Sequence, residues 1–539
     1  MSIEKSAMKE LNGGEKDGET PARGNKKKKS CCPIADRIPA RYILTALFFF
    51  GIVALQTTRH GFSVAIVVMT NTSSSATAVN QTAAIYHNCP STRPINVSAQ
   101  RAGGDRDQGE LFEWSQSIKG TLLGAYFYGY IITQVAGGVL EQKFGGKVVF
   151  GTSLLLAAVL NALGPVAARS SAWAMFAVRF CLGLVTGVSL PSMYGVWGRW
   201  APPTERTRLL AFCYIALSLG GVITFPLASN LADEYGWPAV FYIPGSFVAV
   251  WLLAWVLLAY DSPAKHPRIL EEEQEYIEDG IGMKTQQKLP VPWREVLTSL
   301  PVWALIVGQF SSLWGTYLLL TQMPNYMKNV LGFNIRTNGL LSALPPLLAM
   351  ISMMLSSFLA DFLITRGTIP KVWIRRSFVI TGFTGMVICG IVLANLSGCD
   401  PAAAVALLCL LQAFSGLTNA GFRAVHIEFA PRFSGVTFSL ANTAGTLPGI
   451  VAPLLVGFVV ENDPTIGGWS KIFYIGAAIQ AVGCVFTVVF MRTDVQPWAR
   501  GKGDVEAKNT GSAKYKNTLP ANAHAEMKTE KLLEQETNM

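Results

Sequence analysis

An arginine, Arg59, lies inside an apolar run of 28 residues that extends from Tyr42 to Met69. A run of this length can cross a lipid bilayer, which takes about 20 residues in a helix. Because arginine keeps its proton at any ordinary pH, titration cannot remove the charge. Holding it near the membrane centre costs on the order of 3 kcal/mol on insertion scales. A partner must offset that cost, and the candidates are a protein carboxylate and an anionic substrate.

The composition indicates that this run is one span of a polytopic membrane protein. Half of the chain is hydrophobic and 14% is charged, against roughly 25% charged residues in soluble domains. The mean hydropathy is +0.35. The net charge of +10 comes largely from tails and loops, which indicates membrane topology and not nucleic-acid binding. The lipid bilayer is therefore the expected partner.

The chain shows no signature of an enzyme or of a metal site. The nine cysteines have no metal-ligand spacing, and no nucleophile–base pair or phosphate-binding loop is visible. We therefore expect neither catalysis nor a metal or organic cofactor.

Twelve apolar segments predict an all-α membrane protein with twelve transmembrane helices. Their approximate bounds are 42–69, 117–140, 147–168, 173–197, 208–231, 239–260, 301–328, 337–363, 376–396, 402–428, 434–460 and 470–491.

Lysine and arginine in the short connections set the predicted orientation. If the N-terminus is cytosolic, the cytosolic segments hold most of these residues and the short outside loops hold very few, which is the positive-inside pattern. The basic residues that favour this orientation are Lys26 to Lys29, Lys143, Lys147, Arg199, Arg206, Arg208, Arg366, Lys371, Arg375, Arg376 and Arg432. Both termini are then predicted to be cytosolic.

The long connection 70–116 is predicted to face the outside or a lumen. It carries three N-glycosylation sequons, which begin at Asn71, Asn80 and Asn96, and their location agrees with the charge rule. Cys89 and Cys399 are the cysteines assigned to that side. A disulfide between them and two free thiols are both consistent with the sequence.

An internal repeat divides the chain into two halves. The segment GWPAVFYI at Gly236 recurs as GWSKIFYI at Gly468, 232 residues later, near the start of the sixth and twelfth spans. Two related six-span halves are typical of transporters whose binding site lies between the halves. The predicted organisation is a basic cytosolic tail (1–41), an N-terminal half (42–260), a cytosolic linker (261–300), a C-terminal half (301–492) and a disordered cytosolic tail (493–539).

Several motifs resemble the anion-transporter family of the major facilitator superfamily, which includes sialin, the vesicular glutamate transporters and the sodium–phosphate cotransporters. They include TRHGFSVAIVVM in the first span, YGYIITQVAGG in the second, EYGWPAVFYI before the sixth and NTAGTLPGIVAP in the eleventh. The resemblance covers about residues 40–495. It implies a twelve-helix fold with alternating access and a small anionic substrate, carried with protons, with sodium or down the membrane potential.

The resemblance also implies which residues meet the substrate. Arg59 matches the first-span arginine that binds the anion, and its planar donors suit a carboxylate or phosphate. Aromatic residues that match cavity-facing positions are Tyr317, Tyr214, and Tyr126 or Tyr128. Asn442 and Thr443 match a polar pair near the substrate.

The fourth span departs from the family at two titratable positions. Arg179 matches an arginine near the transport path, and an anchoring role at an interface is the alternative. Two turns later the family has a carboxylate where this chain has Thr186, and further along a histidine where it has Tyr194. Because neither side chain exchanges protons near neutral pH, we expect no ordinary proton coupling through this span.

The tenth span keeps a polar pair, His426 and Glu428, and adds Arg423 where the family has asparagine. Arg423 either makes the cavity more positive, snorkels to the cytosolic headgroups or pairs with Glu428. Asp361, in the second half, matches an acidic loop position. We assign these residues to coupling or gating.

The sequence thus predicts a secondary active transporter of an organic or inorganic anion that acts as a monomer. One alternative is a sodium- or potential-driven carrier of phosphate- or urate-type anions. Another is a transporter-like scaffold or sensor that no longer moves solute, which the loss of the fourth-span acid favours. The coupling ion, and residence in the plasma membrane or in a lysosomal or vesicular membrane, stay open.

Overall fold

A computed structural model of the chain describes residues 39–70, 111–202, 205–281, 291–396, 400–422, 425–430, 433–463 and 465–499. Arg423, the cysteines Cys89 and Cys399, and the sequon residues Asn71, Asn80 and Asn96 lie outside the described residues.

The described chain consists of helices and their connections, apart from one isolated bridge between Thr70 and Phe112. We number the twelve membrane-length segments in chain order. They are α1 (Ala40–Val68), α2 (Gln116–Phe144), α3 (Gly146–Ser170), α4 (Ala172–Trp200), α5 (Arg206–Tyr235), α6 (Ala239–Leu258), α7 (Leu300–Asn329), α8 (Ile335–Arg366), α9 (Lys371–Asn395), α10 (Pro401–Phe422), α11 (Ser434–Asn462) and α12 (Ile466–Phe490).

The predicted all-helical membrane architecture is confirmed. Eleven of these helices are long and apolar enough to cross a membrane, and α2 also qualifies when its two parts, which bend by 56°, are taken together. The tenth predicted span is shorter than expected: α10 ends at Phe422, and Val425–Phe429 forms a separate short helix. The chain is thus a multi-pass membrane protein.

Two of the spans are interrupted where the sequence carries helix-weakening residues. In α4, the helix stops at Thr186 and resumes at Ser189. In α11, it stops at Thr446 and resumes at Pro448, because proline lacks the N–H that a continuous helix would require there. Both breaks fall within the polar middle of the molecule, close to the residues described below.

Each half of the chain has its own hydrophobic core. One large cluster of buried side chains draws only on residues between Val296 and Ala499, and another only on residues between Ala40 and Ile277. A smaller cluster around Tyr126 joins the halves through Ile450 and Tyr317. The interior surface between α1–α6 and α7–α12 is therefore where side chains of both halves meet.

The segments GWPAVFYI and GWSKIFYI, which we call the GW repeat, have their tryptophan and phenylalanine at equivalent buried positions. Trp237 and Phe241 are 0% and 2% exposed at the start of α6, and Trp469 and Phe473 are 3% and 5% exposed at the start of α12. Residues of an interfacial aromatic belt would instead be exposed to headgroups. The tryptophan and phenylalanine of each copy therefore belong to the packed core, whereas Tyr242 and Tyr474 are 45% and 44% exposed.

Hydrogen bonds and ion pairs join the halves mainly on one side. We call the side where α1 begins the Ala40 side and the opposite one the Val68 side. On the Val68 side, Arg336 of α8 pairs with Asp233 and Glu234 of α5 at 2.7 and 2.9 Å. Glu461 of α11 accepts a hydrogen bond from the backbone N–H of Ser117 in α2.

Close backbone packing accompanies these bonds. A Cβ on Gly120 of α2 would lie 2.3 Å from the carbonyl oxygen of Pro453 in α11. Glycine at this position lets the two helices touch. Because these contacts cross between halves, the described structure is closed on the Val68 side.

Part of the connection between the halves binds the start of α1. The helix Glu271–Ile281 presents Glu273, which accepts hydrogen bonds from the backbone N–H groups of Ala40 and Arg41 at 2.9 and 3.2 Å. The side chain of Arg41 also pairs with Glu273 and with Glu205, at 3.0 and 2.9 Å. This segment is thus fastened to the N-terminal half.

Candidate functional site

Arg59 lies in a cage of aromatic rings. Its guanidinium carbon is 4.8 to 5.6 Å from the centroids of four rings, which come from α2 and from α7. These rings, which we call the aromatic cage, belong to Tyr126, Phe127, Tyr130 and Tyr317. A cation over aromatic faces within about 6 Å is attracted by the ring quadrupoles. The cage therefore offsets part of the cost of the charge and spans both halves.

The cage leaves donors of Arg59 unused. The Nε and Nη2 atoms are buried and have no hydrogen-bond partner. None of the ion pairs found among the described residues includes Arg59. Buried donors of a charged group are expensive to leave unpaired. The arrangement can thus accept an anion with two oxygens, whose bonds would satisfy these donors.

Arg179 holds the helix that carries Arg59. It is 3% exposed, and its guanidinium donates to the carbonyl oxygens of Thr58 and Arg59 at 3.5 and 3.2 Å. It also lies 4.4 Å from the ring centroid of Phe62 and 5.5 Å from that of Tyr126. Arg179 therefore supports α1 from inside the protein and lies beside the cage, and not at a membrane interface.

Thr186 contacts the cage through Tyr126. Its hydroxyl lies 2.9 Å from the Tyr126 hydroxyl and 2.8 Å from the carbonyl oxygen of Leu182, and Thr186 is 1% exposed. The position where the family carries a carboxylate therefore holds a neutral, hydrogen-bonded side chain. As a result, Arg59, Arg179 and the tyrosines of the aromatic cage lie close together without a carboxylate at position 186.

Gln134 connects this region to the polar pair of α11. Its Oε1 atom is 3.5 Å from Asn442 Nδ2 and 3.5 Å from Thr443 Oγ1, and its Nε2 atom is 3.4 Å from Thr446 Oγ1. Gln134 lies one turn beyond Tyr130 on the same face of α2. Asn442 and Thr443 thus lie next to the cage along the interface between the halves, toward the Ala40 side.

The other predicted tyrosines lie outside the cage. Tyr128 packs near Phe176, with ring centroids 6.3 Å apart. The hydroxyls of Tyr194 and Tyr214 contact each other, which links α4 to α5. The structure therefore brings together Arg59, Tyr126 and Tyr317 from the predicted set, and places these three tyrosines elsewhere.

The predicted coupling residues of the C-terminal half lie apart from the cage and make separate contacts. Glu428 accepts a hydrogen bond from Arg375 at 2.8 Å, and His426 Nδ1 lies 3.2 Å from Thr437 Oγ1. Asp361 is exposed near the end of α8. Glu428 thus has a cationic partner on α9, which the sequence did not indicate.

Sequence reasoning missed Phe127, Tyr130 and Gln134. A usable signal was present, because Tyr126, Tyr130 and Gln134 recur every four residues and so share one face of a helix. Gly449 of α11 was also informative: a Cβ there would lie 2.4 Å from the Phe127 ring, so the glycine makes room for the cage.

Comparison with known proteins agrees with this fold. The pattern that defines the Major Facilitator Superfamily matches residues 61–453. Human sialin is 36% identical over 488 residues, which cover 90% of this chain and 96% of sialin. Human vesicular glutamate transporter 2 is 35% identical over 476 residues, which cover 87% of this chain and 77% of that protein.

Solved structures share the fold at low identity. A bacterial homologue of the human lysosomal transporter Spinster, in an inward-facing and occupied conformation, has a TM-score of 0.61 at 13% identity and covers 85% of this chain and 99% of its own. A D-xylose–proton symporter has a TM-score of 0.56 at 15% identity and covers 84% and 98%. The chain belongs to the major facilitator superfamily, in the anion-transporter family that includes sialin and the vesicular glutamate transporters.

Proposed function

We propose that this protein is a secondary active transporter that binds a small organic or inorganic anion at Arg59. The observation that carries the proposal is the pair of buried, unpartnered donors on Arg59 inside a cage built by both halves. Intramembrane charges of this kind mark substrate pathways. The names of the relatives, sialin and the vesicular glutamate transporters, support an anionic substrate.

The cage gives a physical basis for alternating access. Tyr126, Phe127 and Tyr130 belong to the N-terminal half, and Tyr317 belongs to the C-terminal half. An anion held by Arg59 therefore interacts with both halves, and their relative motion would expose it to one side at a time. With basic connections in the cytosol, the Ala40 side is cytosolic and the Val68 side faces the outside or a lumen.

Thr186 supports a cycle driven by membrane potential. Arg59 and Arg179 keep their charge, and Thr186 supplies no proton between them. Movement of a bound anion then carries net charge, so the potential acts on the cycle directly. A sodium-driven cycle through backbone oxygens is the competing form of the same function.

Uptake into proteoliposomes tests the function. Labelled sialate, glutamate, phosphate and urate are offered under imposed proton, sodium and potential gradients, to wild type, Arg59→Gln and Arg366→Gln. Arg366 is an exposed arginine on α8 and serves as the control. We expect one anion class to accumulate with an inside-positive potential, and Arg59→Gln to abolish this uptake while Arg366→Gln preserves it.

A specific outcome would favour the scaffold or sensor alternative. If no gradient drives uptake of any anion, yet an anion raises the melting temperature of wild type and not of Arg59→Gln, the protein binds without transporting. Uptake by Arg59→Gln at the wild-type rate would contradict the proposed site.

A further inference from the structure

A second cationic position lies on the same face of α2 as the aromatic cage. Lys119 precedes Tyr126 by seven residues, which is two helical turns or about 10.5 Å toward the Val68 side. Lys119 is 8% exposed. Its ammonium makes no hydrogen bond or ion pair with another described residue. The described structure therefore leaves its charge without a protein partner.

Two neighbours make this location more unfavourable for a cation. Lys119 lies in the first turn of α2, where the helix dipole presents its positive end. Lys328 of α7 is close enough to repel it. A carboxylate, Glu461, also lies at this helix end. It accepts hydrogen bonds from the Ser117 N–H at 2.7 Å and from the Ser115 hydroxyl at 3.3 Å, and not from Lys119.

Lys328 continues the same pattern on the other half. It follows Tyr317 of the cage by eleven residues, or three turns of α7, on the same face. Its ammonium donates to the carbonyl oxygen of Val67, at the end of α1, at 2.7 Å. Both helices that supply the cage thus carry a lysine toward the Val68 side, one on each half.

We propose that Lys119 and Lys328 form a second anion-binding site, at the Val68 mouth of the path to Arg59. The site takes the same class of ligand as Arg59, a small carboxylate or phosphate-like anion, and it rests on the proposed anion transport. In the described state, Lys119 is 8% exposed, and contacts of α2 with α11 hold the halves together on this side. Separation of the halves on this side would expose it beside Lys328, where an anion could bridge the two ammonium groups.

Transport kinetics provide the first test. Proteoliposomes are loaded so that labelled phosphate, or the anion identified in the panel above, enters from the Val68 side or from the Ala40 side. We expect Lys119→Gln to raise KM about fivefold from the Val68 side, with little change in maximal rate or in KM from the Ala40 side. Lys119→Arg should restore the wild-type KM, because it keeps the charge. Equal KM values for wild type and Lys119→Gln from both sides would overturn the proposal, while leaving the role of Arg59 intact.

A second test does not depend on transport. A reporter cysteine, Lys328→Cys, is treated from the Val68 side with an anionic and a cationic methanethiosulfonate reagent of similar size. With Lys119 present, the anionic reagent should react faster relative to the cationic one. Lys119→Gln should lower that ratio severalfold, because loss of a nearby positive charge weakens the attraction of the anionic reagent and the repulsion of the cationic one. The protein without the reporter cysteine provides the background rate. An unchanged ratio would show that Lys119 creates no positive potential at this mouth.

Discussion

At the residue scale, the central feature is an arginine whose surroundings compensate its charge only in part. Aromatic faces attract the guanidinium of Arg59, and backbone carbonyls of α1 are held by Arg179 instead of by Arg59. Two Arg59 donors remain unsatisfied. Two donors of Arg59 are thus free for a ligand, whereas Arg179 leaves its Nε unpartnered and uses its two Nη atoms to bind α1.

The different contacts of the two arginines predict different defects. Arg179→Gln should remove the bonds to the Thr58 and Arg59 carbonyls, so α1 loses part of its support. We expect a lower melting temperature together with reduced uptake. Arg59→Gln should reduce uptake without lowering the melting temperature, since it removes a charge that the protein alone does not fully satisfy. Thermal unfolding monitored by tryptophan fluorescence distinguishes the two, and equal losses of stability would contradict this division.

Position 186 predicts how proton dependence could be introduced. In Thr186→Glu, a carboxylate would replace a hydroxyl 2.9 Å from Tyr126, close to two arginines. While ionised, it should compete with the substrate for Arg59, and uptake should fall. Protonation removes the competitor, so uptake by this variant should rise as pH falls from 7.5 to 5.5.

The neutral variant Thr186→Gln controls for the change in size. Its uptake, like that of wild type, should show little dependence on pH over the same range. A steep pH dependence in wild type would instead indicate that another group couples proton movement to transport.

The residue-level features were unequally visible in the sequence. Arg59 was identifiable because a single charge stands out in a long apolar run, and the resemblance indicated its role. The choice between Tyr126 and Tyr128 could not be made from the sequence, because it depends on how α2 is rotated against its neighbours. The pairing of Glu428 with Arg375 joins distant parts of the chain, so local patterns could not reveal it.

At the element scale, close approach of α2 and α11 controls the Val68 side. Gly120 and Gly457 permit this approach: a Cβ on Gly120 would meet the Pro453 carbonyl at 2.3 Å, and one on Gly457 would meet the Gln116 carbonyl at 2.8 Å. The same helix, α11, is broken just before Pro448.

Added side-chain volume at Gly120 should therefore favour opening on this side. We expect Gly120→Val to increase the reactivity of a cysteine at Ser117 toward a membrane-impermeant thiol reagent, and to slow uptake. Gly138→Val is a matched control, since a Cβ at Gly138 of α2 meets nothing within 4 Å. If Gly120→Val left reactivity and uptake unchanged, the α2–α11 contact would not limit the cycle.

The helix Glu271–Ile281, in the connection between the halves, stabilises the start of α1. Glu273 accepts two backbone N–H groups of α1 and pairs with Arg41, whereas the residue before the helix, Pro39, provides no side-chain cap. We expect Glu273→Ala to destabilise the protein by about 1–3 kcal/mol, as for loss of an acceptor to buried donors. Glu271→Ala, on the exposed side of the same helix, should change the melting temperature little. Equal melting temperatures for wild type and Glu273→Ala would contradict this capping role.

At the scale of the whole molecule, two halves with separate cores meet around Arg59. The apolar segments and the GW repeat predicted twelve spans in two related halves, because span number follows directly from hydropathy. The conformational state could not be predicted, since it depends on contacts between distant helices. Among the described residues, the hydrogen bonds and ion pairs between the halves lie either at the level of Gln134 or closer to the Val68 side.

The ion pairs of Arg336 should stabilise this closed state. We expect Arg336→Gln to increase hydrogen exchange in peptides that cover residues 229–235 and 335–339, where α5 and α8 end on the Val68 side. Lys471→Gln removes an ion pair with Asp463 on the same side but within one half, so it should leave those peptides unchanged. Equal exchange in Arg336→Gln and wild type would show that these exposed pairs do not hold the halves together.

The central claim, that Arg59 holds the anionic group of the substrate, is tested most directly by equilibrium binding. The labelled anion identified by the uptake panel is titrated against purified wild type, Arg59→Gln and Arg366→Gln. Hydrogen bonds to a charged group contribute about 1.5–3 kcal/mol, which corresponds to a weakening of about 10- to 100-fold. The account predicts that loss for Arg59→Gln and wild-type affinity for Arg366→Gln. Wild-type affinity in a correctly folded Arg59→Gln protein would contradict it.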